Sequence, residues 1–568
     1  MYELKQYKRG LKVAEQILKK HPEHGESMAM KGLFCHCLER REEGIECVKK
    51  GLRWDLKSHI CWHVYGLVHR ADRNYEEAIR CYAQALKCDG ENLQILRDFA
   101  MLQVQMRKYE QFADSRNQLL SLRPQTKQNW FGLAVAYHFL GKFEMSEKVL
   151  LAFLDANTDP TPGLLGPYED SEMFHYHNMV IEELGDFDRA LEHLDSHESL
   201  MLDKTGWLES KARLLLKKKS LEQAEEHYHL LMERNSESIE YINRMIECKG
   251  FEGDDKKISE LVLPQLLEKF PRSHVIPLLQ LQYSQGQNFK KLQKAYLIKN
   301  FQRGVPSLFK NLRHVLMDAS KYDIIFTTAT EYLQTLLKSK TELPTTLIWV
   351  RYFISQVHDD RREYQLALDS LNLAIVHSPT VVELFMAKAK IYKHAGDLNS
   401  AMEWMNQARE LDLQDRYVNS KCTKYMINNN QIRLAEKTIS LFTNAASALK
   451  PDAPKDDNPN PDLIEMQCMW YSTAIGKSYK STGDYGLALK SFHQVEQHFV
   501  DIYDDQFDFH AYGLRKMTLR AYVDMVRSLD RLRDHPFFTK VAKAAIEIYL
   551  DMFDNPSSAC NASESVLF

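Results

Sequence analysis

Apolar residues recur along this chain at the three- and four-residue spacing of amphipathic helices, and the pattern repeats every 34 residues. When the sequence is aligned with itself at that shift, large apolar residues coincide, and so do small residues four positions later: Met28, Trp62, Leu96 and Trp130, then Gly32, Gly66, Ala100 and Ala134. This period predicts stacked pairs of antiparallel helices, in which the small residue lets the two helices of a pair approach closely. One pair cannot bury its own apolar face, so neighbouring pairs supply the core.

A second set of residues has the same 34-residue spacing and belongs to the second helix of each pair: Gly10, Gly44, Ala78, Phe112 and Ser146. From Gly44 onward, each lies twelve positions after the small-residue position of the first helix. Pro22 and Pro124 close two of the pairs. Together these positions form the tetratricopeptide pattern W-x2-L-G-x2-Y, A-x3-F and Pro, whose two helices are named helix A and helix B. The sequence therefore predicts an all-α fold, a tetratricopeptide-repeat right-handed superhelical solenoid.

The strength of this register varies along the chain and divides it into segments. AKIYKHAGDLNSA and GKSYKSTGDYGLA are clear late matches, whereas only helical periodicity remains between 251 and 343. The stretch KPDAPKDDNPNPD is rich in Pro and Asp, and the end of the chain lacks periodicity. The predicted segments are an array that starts in mid-repeat (1–156), repeat-like helices (168–250), degenerate helical repeats (251–343), repeats (344–449), an exposed loop (450–462), helical repeats (463–555) and a disordered tail (556–568).

Composition argues against several classes of function. The 74 basic and 78 acidic residues leave a net charge of -4, which provides no overall attraction for DNA or for an anionic membrane. No stretch approaches the roughly 20 apolar residues of a membrane span. The ten cysteines form no CxxC motif, which suggests a reducing compartment. We therefore predict a cytoplasmic protein without a membrane or DNA partner.

Motifs for catalysis are missing from the sequence. G-x-G-x-x-G, the P-loop, HExxH, GxSxG and the acetyl-CoA pyrophosphate loop Q/R-x-x-G-x-G/A do not occur. Several Cys and His residues are two positions apart, but such side chains point in different directions on a helix: Cys35 and Cys37, His175 and His177, His227 and His229. We predict no catalytic residue and no metal site.

One basic face stands out in this near-neutral chain. Lys421, Lys424 and Tyr425 in DRYVNSKCTKY have the spacing i, i+3 and i+4 that brings side chains to one face of a helix, and Arg416 lies just upstream. Such a face can bind a polyanion through charge-assisted hydrogen bonds. The alternative interpretation is a solvated basic face.

Longer strings of the sequence resemble the auxiliary subunit of the N-terminal acetyltransferase A complex, NatA. They include RGVPSLFKNLR, PTTLIWVRYFISQ, DRYVNSKCTKYM, EMQCMWY and DDQFDFHAYGLRKMTLRAYVD, and the resemblance runs from about Tyr2 to Pro556. It implies a non-catalytic, ring-like scaffold around a small catalytic acetyltransferase, which docks at the ribosome and acetylates nascent chains. Because family members begin earlier and continue further, the resemblance also suggests a shortened form.

The resemblance implies partners, ligands and sites as well. The expected partners are the catalytic subunit, a second acetyltransferase subunit, a small huntingtin-interacting regulatory protein and the ribosome, in the cytoplasm and also in the nucleus. Acetyl-CoA is expected only on the catalytic partner. Inositol hexakisphosphate is expected at Arg416, Lys421, Lys424 and Tyr425. Phe442 and Trp470, which lie away from the small positions that pack each repeat, are expected to contact the catalytic subunit.

Two alternatives remain within a generic protein-interaction scaffold. A chaperone adaptor that clamps a carboxylate needs Asn directly after the small residue of helix A, where this chain has Leu33, Leu67, Met101 and Val135. An RNA-processing adaptor needs a continuous basic track, which the charge balance does not supply.

Overall fold

The computed structural model describes residues 2, 4–156, 166–338, 344–443 and 460–555, and all regular secondary structure in these ranges is helical. This confirms the predicted all-α class. The predicted tail and the predicted loop up to residue 459 lie outside the described ranges. Within those ranges, none of the helices combines the length and the apolar character needed to cross a bilayer.

The first compact unit comprises residues Met1–Ser220 and Val500–Leu532. The helices of its first segment are α1 (Tyr7–Lys20), α2 (Gly25–Cys37), α3 (Arg41–Trp54), α4 (His59–Ala71), α5 (Tyr75–Cys88), α6 (Leu93–Gln105), α7 (Tyr109–Leu122), α8 (Lys127–Phe139), α9 (Phe143–Ala156), α10 (Pro167–Glu183), α11 (Phe187–Ser196) and α12 (Lys204–Lys217).

The second compact unit comprises residues Leu221–Phe499 and Arg533–Phe568. The helices of its first segment are α13 (Leu221–Arg234), α14 (Ile239–Cys248), α15 (Asp255–Lys257), α16 (Leu263–Lys269), α17 (Val275–Tyr283), α18 (Gly286–Arg303), α19 (Leu308–Asn311), α20 (Ala319–Lys338), α21 (Pro344–Asp360), α22 (Tyr364–His377), α23 (Val382–Ala395), α24 (Leu398–Leu411), α25 (Arg416–Asn428), α26 (Ile432–Ser440), α27 (Pro461–Glu465) and α28 (Met469–Thr482).

Three more helices follow α28 within the described residues. Helix α29 (Tyr485–Arg515) contributes its first turns to the second unit and its later turns to the first; α30 (Leu519–Leu529) belongs to the first unit and α31 (Pro536–Asp554) to the second. The predicted exposed loop at 450–462 is wrong at its end, where Asn460 is buried and Pro461 and Asp462 open α27. Proline suits this position because its fixed φ matches the first helical turn and it lacks an N–H that would need a partner there.

The helix pairs form where the small residues predict close approach. A Cβ built on Gly32 of α2 would lie 2.5 Å from the carbonyl oxygen of Gly44 on α3, and one built on Gly44 would lie 2.8 Å from that of Gly32. Helix starts repeat in the same register. Ser58 caps α4 by accepting from the N–H of Cys61 at 3.3 Å, and Asn92 caps α6 in the same way.

Between residues 251 and 338 the repeat dimensions are lost. Helices α18 and α20 have 18 and 20 residues, against 13 in α2 and 14 in α3, and the π-helical segment Ile258–Val262 interrupts the chain. The core here is aromatic, with Phe301 stacked on Tyr332 at 6.1 Å and perpendicular to Phe353 at 5.4 Å. Large rings pack between helices in this stretch, whereas the regular repeats use small residues for close approach, so the small-residue register is not visible in the sequence here.

The later part of α29 and helix α30 pack against the N-terminal repeats of the first unit. Arg520 forms an ion pair with Glu172 of α10 at 2.8 Å, and Arg527 forms one with Glu183 at 2.8 Å. The hydroxyl of Tyr503 donates to the carbonyl oxygen of Gln105 at 2.8 Å. In the first unit, helix α30 therefore packs against helix α10, although the two are more than 300 residues apart in the sequence.

Candidate anion-binding and partner-binding sites

The predicted basic face lies on α25, whose start is set by Asp415. The Asp415 carboxylate accepts from the N–H groups of Tyr417 at 2.7 Å and Val418 at 3.3 Å, which caps the helix. The side chains of Val418 and Cys422 are buried in the core of the second unit. This anchoring fixes the rotation of the helix and leaves Lys424 exposed.

A lysine from the preceding helix A joins this face. Lys393 on α23 places its Nζ 5.7 Å from the ring centre of Tyr425. Burial, followed by the charges of Lys390, Lys424 and Lys421, lowers the pKa of Lys393, while Asp359 opposes the shift. We call Lys390, Lys393, Lys421 and Lys424 the lysine cluster. Its members repel one another, so an anion bound among them would be stabilised.

Asp359 of α21 is the carboxylate that partly balances the lysine cluster. Its side chain is almost fully buried, lies 3.6 Å from the Nζ of Lys390 and 2.8 Å from the Nδ1 of His394. Sequence reasoning missed Lys390 and Lys393. Lys390 could have been found from the 34-residue register, because it occupies the same repeat position as Lys424.

The structure brings Lys421, Lys424 and Tyr425 together but directs Arg416 elsewhere. Tyr425 is only 9% exposed, and burial raises its pKa to about 12, so its phenol is protonated at pH 7. Arg416, the first residue of α25, places its guanidinium carbon 5.8 Å from the ring centre of Phe442. The residue predicted to bind an anion therefore lies over a residue predicted to bind a partner.

Phe442 and Trp470 are both half-buried. Phe442 lies two residues beyond the end of α26, where its N–H donates to the carbonyl oxygen of Ile439 at 3.2 Å. Trp470 lies in the first turn of α28, packs against the core of the second unit and stands perpendicular to Tyr471 at 5.8 Å. Each ring thus retains exposed area, as a partner contact requires, and Trp470 also contributes to the core of the second unit.

No group of three His, Cys, Asp or Glu side chains with the arrangement of a metal site occurs in the described part of the chain. His175 and His177 are buried within the first unit, where burial lowers the pKa of both. These imidazoles are neutral core residues at pH 7.

Two models of known protein families match the sequence of this chain. The family model described as N-terminal acetyltransferase A, auxiliary subunit, matches residues 168–567, and the model described as Psidin, N-terminal TPR repeats region, matches residues 1–232. The second match confirms the tetratricopeptide repeats.

Two curated relatives and one solved structure cover nearly the whole chain. N-alpha-acetyltransferase 16, NatA auxiliary subunit, of Mus musculus is 44% identical over 98% of this chain and 64% of its own length. The NatA complex auxiliary subunit NAA15 of Arabidopsis thaliana is 41% identical over 99% of this chain and 63% of its own. A chain in the structure of Naa15/Naa10 bound to HypK-THB superposes with a TM-score of 0.90 at 40% identity, covering 99% of this chain and 84% of that one. The chain therefore spans less than two thirds of the length of these curated relatives.

Proposed function

The chain belongs to the family of NatA auxiliary subunits, and from this membership we propose that it is a non-catalytic scaffold for the catalytic acetyltransferase subunit. It binds that subunit and positions it for N-terminal acetylation of nascent chains. The observation that carries the proposal is the close likeness in fold and sequence to a chain of the Naa15/Naa10 assembly. The chain contributes no catalytic group of its own, and acetyl-CoA binds to the partner.

Phe442 and Trp470 are the proposed contacts for the catalytic subunit. Half-buried aromatic rings are frequent hot spots because they offer large apolar area at a small cost in conformational entropy. The guanidinium of Arg416 lies over Phe442 at 5.8 Å, and a cation–π contact of this kind favours the ring position seen here. An apolar helix surface of the partner fits such a pair.

The lysine cluster is the proposed site for inositol hexakisphosphate, with Tyr425 as a hydrogen-bond donor at its edge. Phosphate groups would replace lysine–lysine repulsion by charge-assisted bonds to helices α23 and α25. Because the two helices belong to successive repeats, the ligand would tie one repeat to the next. Arg416 joins the site only if it leaves Phe442, so its share in anion binding is smaller than that of the lysines.

The test of the scaffold function is reconstitution. The purified chain, incubated with acetyl-CoA and a peptide that begins with Ser, should transfer no acetyl group. Mixed with the family's catalytic subunit, it should co-elute as a stable complex and raise the rate of acetylation above that of the catalytic subunit alone. Acetyl transfer by the chain alone, or failure to form a complex, would contradict the proposal.

The proposal extends to a second acetyltransferase subunit, a small HypK-like regulatory protein and the ribosome, with the protein in the cytoplasm and also in the nucleus. The solved structure of Naa15/Naa10 bound to HypK-THB, in which one chain is similar to this protein, supports the regulatory partner. Sedimentation of the protein with ribosomes in cell extracts at low and high salt tests the ribosome contact. Protein that stays in the ribosome-free fraction at both salt concentrations would contradict it.

A further inference from the structure

One repeat of the first unit pairs its charges internally. Asp98 of α6 accepts from the Nε2 of His63 at 2.9 Å and lies 3.4 Å from the Nη1 of Arg70, both on α4. All three side chains are mostly buried. Two cationic or polar groups of one helix A therefore share a carboxylate from the next helix A.

One repeat further along, the same positions lack the carboxylate. A shift of 34 residues converts His63 into Arg97 and Asp98 into Gly132. Arg97 is exposed on α6, and its side chain has no ion pair or hydrogen bond within the described ranges. At this repeat an arginine takes the place of His63, the buried Val104 takes the place of Arg70, and a residue without a side chain takes the place of the acceptor.

Arg116 of α7 extends into the region next to Gly132. A Cβ built on Gly132 would lie 3.0 Å from the Cδ and 3.1 Å from the Nη1 of Arg116, so the guanidinium rests against α8 where the missing carboxylate would begin. In the repeat register this position holds Val48, Tyr82 and Leu150, all buried. Arg116 is therefore a cation in a column of core residues.

Among the described residues, no carboxylate forms an ion pair or a hydrogen bond with Arg116. Its exposure is 6%, its Nε has no acceptor within the described ranges, and its guanidinium carbon lies 5.1 Å from the ring centre of Phe112. Burial lowers its pKa to about 10, Tyr522 opposes this shift, and Arg97 adds a like charge. Tyr522 itself hydrogen-bonds to His510 at 2.9 Å.

A buried cation without an acceptor is costly, whereas one paired with a carboxylate or phosphate gains two-pronged, charge-assisted hydrogen bonds. We propose that Arg97 and Arg116 form a binding site for one oxyanion beside Gly132, distinct from the lysine cluster of the second unit. The oxyanion is either the carboxylate of an acidic side chain on a bound polypeptide or free phosphate. In both cases the ligand supplies the acceptor that Asp98 supplies one repeat earlier.

The decisive variant introduces at position 132 the carboxylate that Asp98 provides one repeat earlier. Gly132→Asp should fill the position of the ligand, raise the melting temperature of the full chain and abolish oxyanion binding at this site. Arg97→Gln, a change at an exposed residue, should weaken binding about tenfold or more. Arg80→Gln is the matched control, because Arg80 is an exposed arginine of the same unit that pairs with Glu77 at 2.6 Å.

Binding is measured on the purified full chain by titration calorimetry with two probes. One probe is sodium phosphate, with sodium chloride at equal ionic strength as reference; the other is an end-blocked peptide with one Asp, with the Asn peptide as reference. The lysine cluster also attracts phosphate, so the informative quantity is the difference between the wild type and Gly132→Asp, whose lysines are identical.

A difference seen with phosphate alone identifies free phosphate as the source, and a difference seen with the Asp peptide identifies an acidic polypeptide. Equal binding of both probes by the wild type, Gly132→Asp and Arg97→Gln would overturn the site. If Gly132→Asp fails to fold, as judged by circular dichroism, Arg97→Gln against Arg80→Gln decides the question by itself.

Discussion

Helices α2 and α3 in the first unit and helices α23 and α25 in the second have the same repeat framework but different uses for it. In α2 and α3, Gly32 and Gly44 bring two backbones into direct contact. In α23 and α25, Lys393 and Lys424 collect like charge on a shared face. The comparison teaches that the 34-residue framework determines which side chains become neighbours, whereas residue identity decides whether neighbours pack or bind.

The largest expected effect concerns the charged region. Lys421→Glu with Lys424→Glu should weaken binding of inositol hexakisphosphate more than about a hundredfold in calorimetry, since each lost charge-assisted bond contributes about 1.5–3 kcal/mol. Lys437→Glu with Lys490→Glu changes the net charge equally at exposed positions on α26 and α29. Equal affinity in the two double variants would leave the basic face as a solvated surface.

The packed region should respond to a single methyl group. Gly32→Ala places a Cβ 2.5 Å from a backbone oxygen that cannot move independently, so we expect a loss of about 2–3 kcal/mol in the free energy of unfolding. Gly90→Ala is the control, because the nearest atom to a Cβ built there is 3.5 Å away. Urea unfolding followed by circular dichroism measures both. Equal unfolding midpoints would show that α2 and α3 separate without cost.

Variants of Phe442 and Trp470 test whether one side chain serves both folding and binding of the catalytic subunit. Phe442→Ala and Trp470→Ala should each weaken the complex with the catalytic subunit by about 2 kcal/mol, or about thirtyfold. Phe553→Ala, at an aromatic residue that is 82% exposed, is the control. Pull-down and thermal melting are measured together. A folded double variant that binds at wild-type strength would refute the site, and Phe442→Leu serves if the alanine variants unfold.

The smallest expected effect is the loss of folding stability that the lysine cluster causes when no ligand is bound. The pKa of Lys393 is lowered in the folded protein, by burial and then by Lys390, Lys424 and Lys421. Between that lowered value and the ordinary value of 10.5 the unfolded chain binds more protons, so stability rises with pH in this window and the charge is destabilising below it.

Lys393→Met should therefore stabilise the free protein at pH 7 by less than about 1 kcal/mol, and this gain should disappear above pH 10.5. The same variant should weaken binding of inositol hexakisphosphate. Thermal melts at pH 7 and pH 11, with calorimetry at pH 7, measure these effects. A lower melting temperature at pH 7 with unchanged affinity would assign Lys393 to packing alone.

Part of the candidate site could be predicted from the chain and part could not. Lys421, Lys424 and Tyr425 were found because helical spacing alone places them on one face. Lys393 was missed, since its approach to Tyr425 depends on how two successive helices A pack. The contact of Arg416 with Phe442 was missed for a similar reason, because it joins the start of α25 to the turn after α26.

The amino-acid sequence was sufficient to predict the helices, their pairing into repeats and the family. These properties depend on residues within about one repeat of each other, and local spacing records them directly. It also determined which small residues bring helices together, as Gly32 and Gly44 show.

The folded structure was needed to show which distant segments share a unit. Arg520 meets Glu172 across 348 residues, and Tyr503 meets Gln105 across 398. It likewise decided that Arg116 lies buried against Gly132. No periodicity encodes such contacts, because they follow from the stacking of many repeats and from the shapes of the surfaces that this stacking creates.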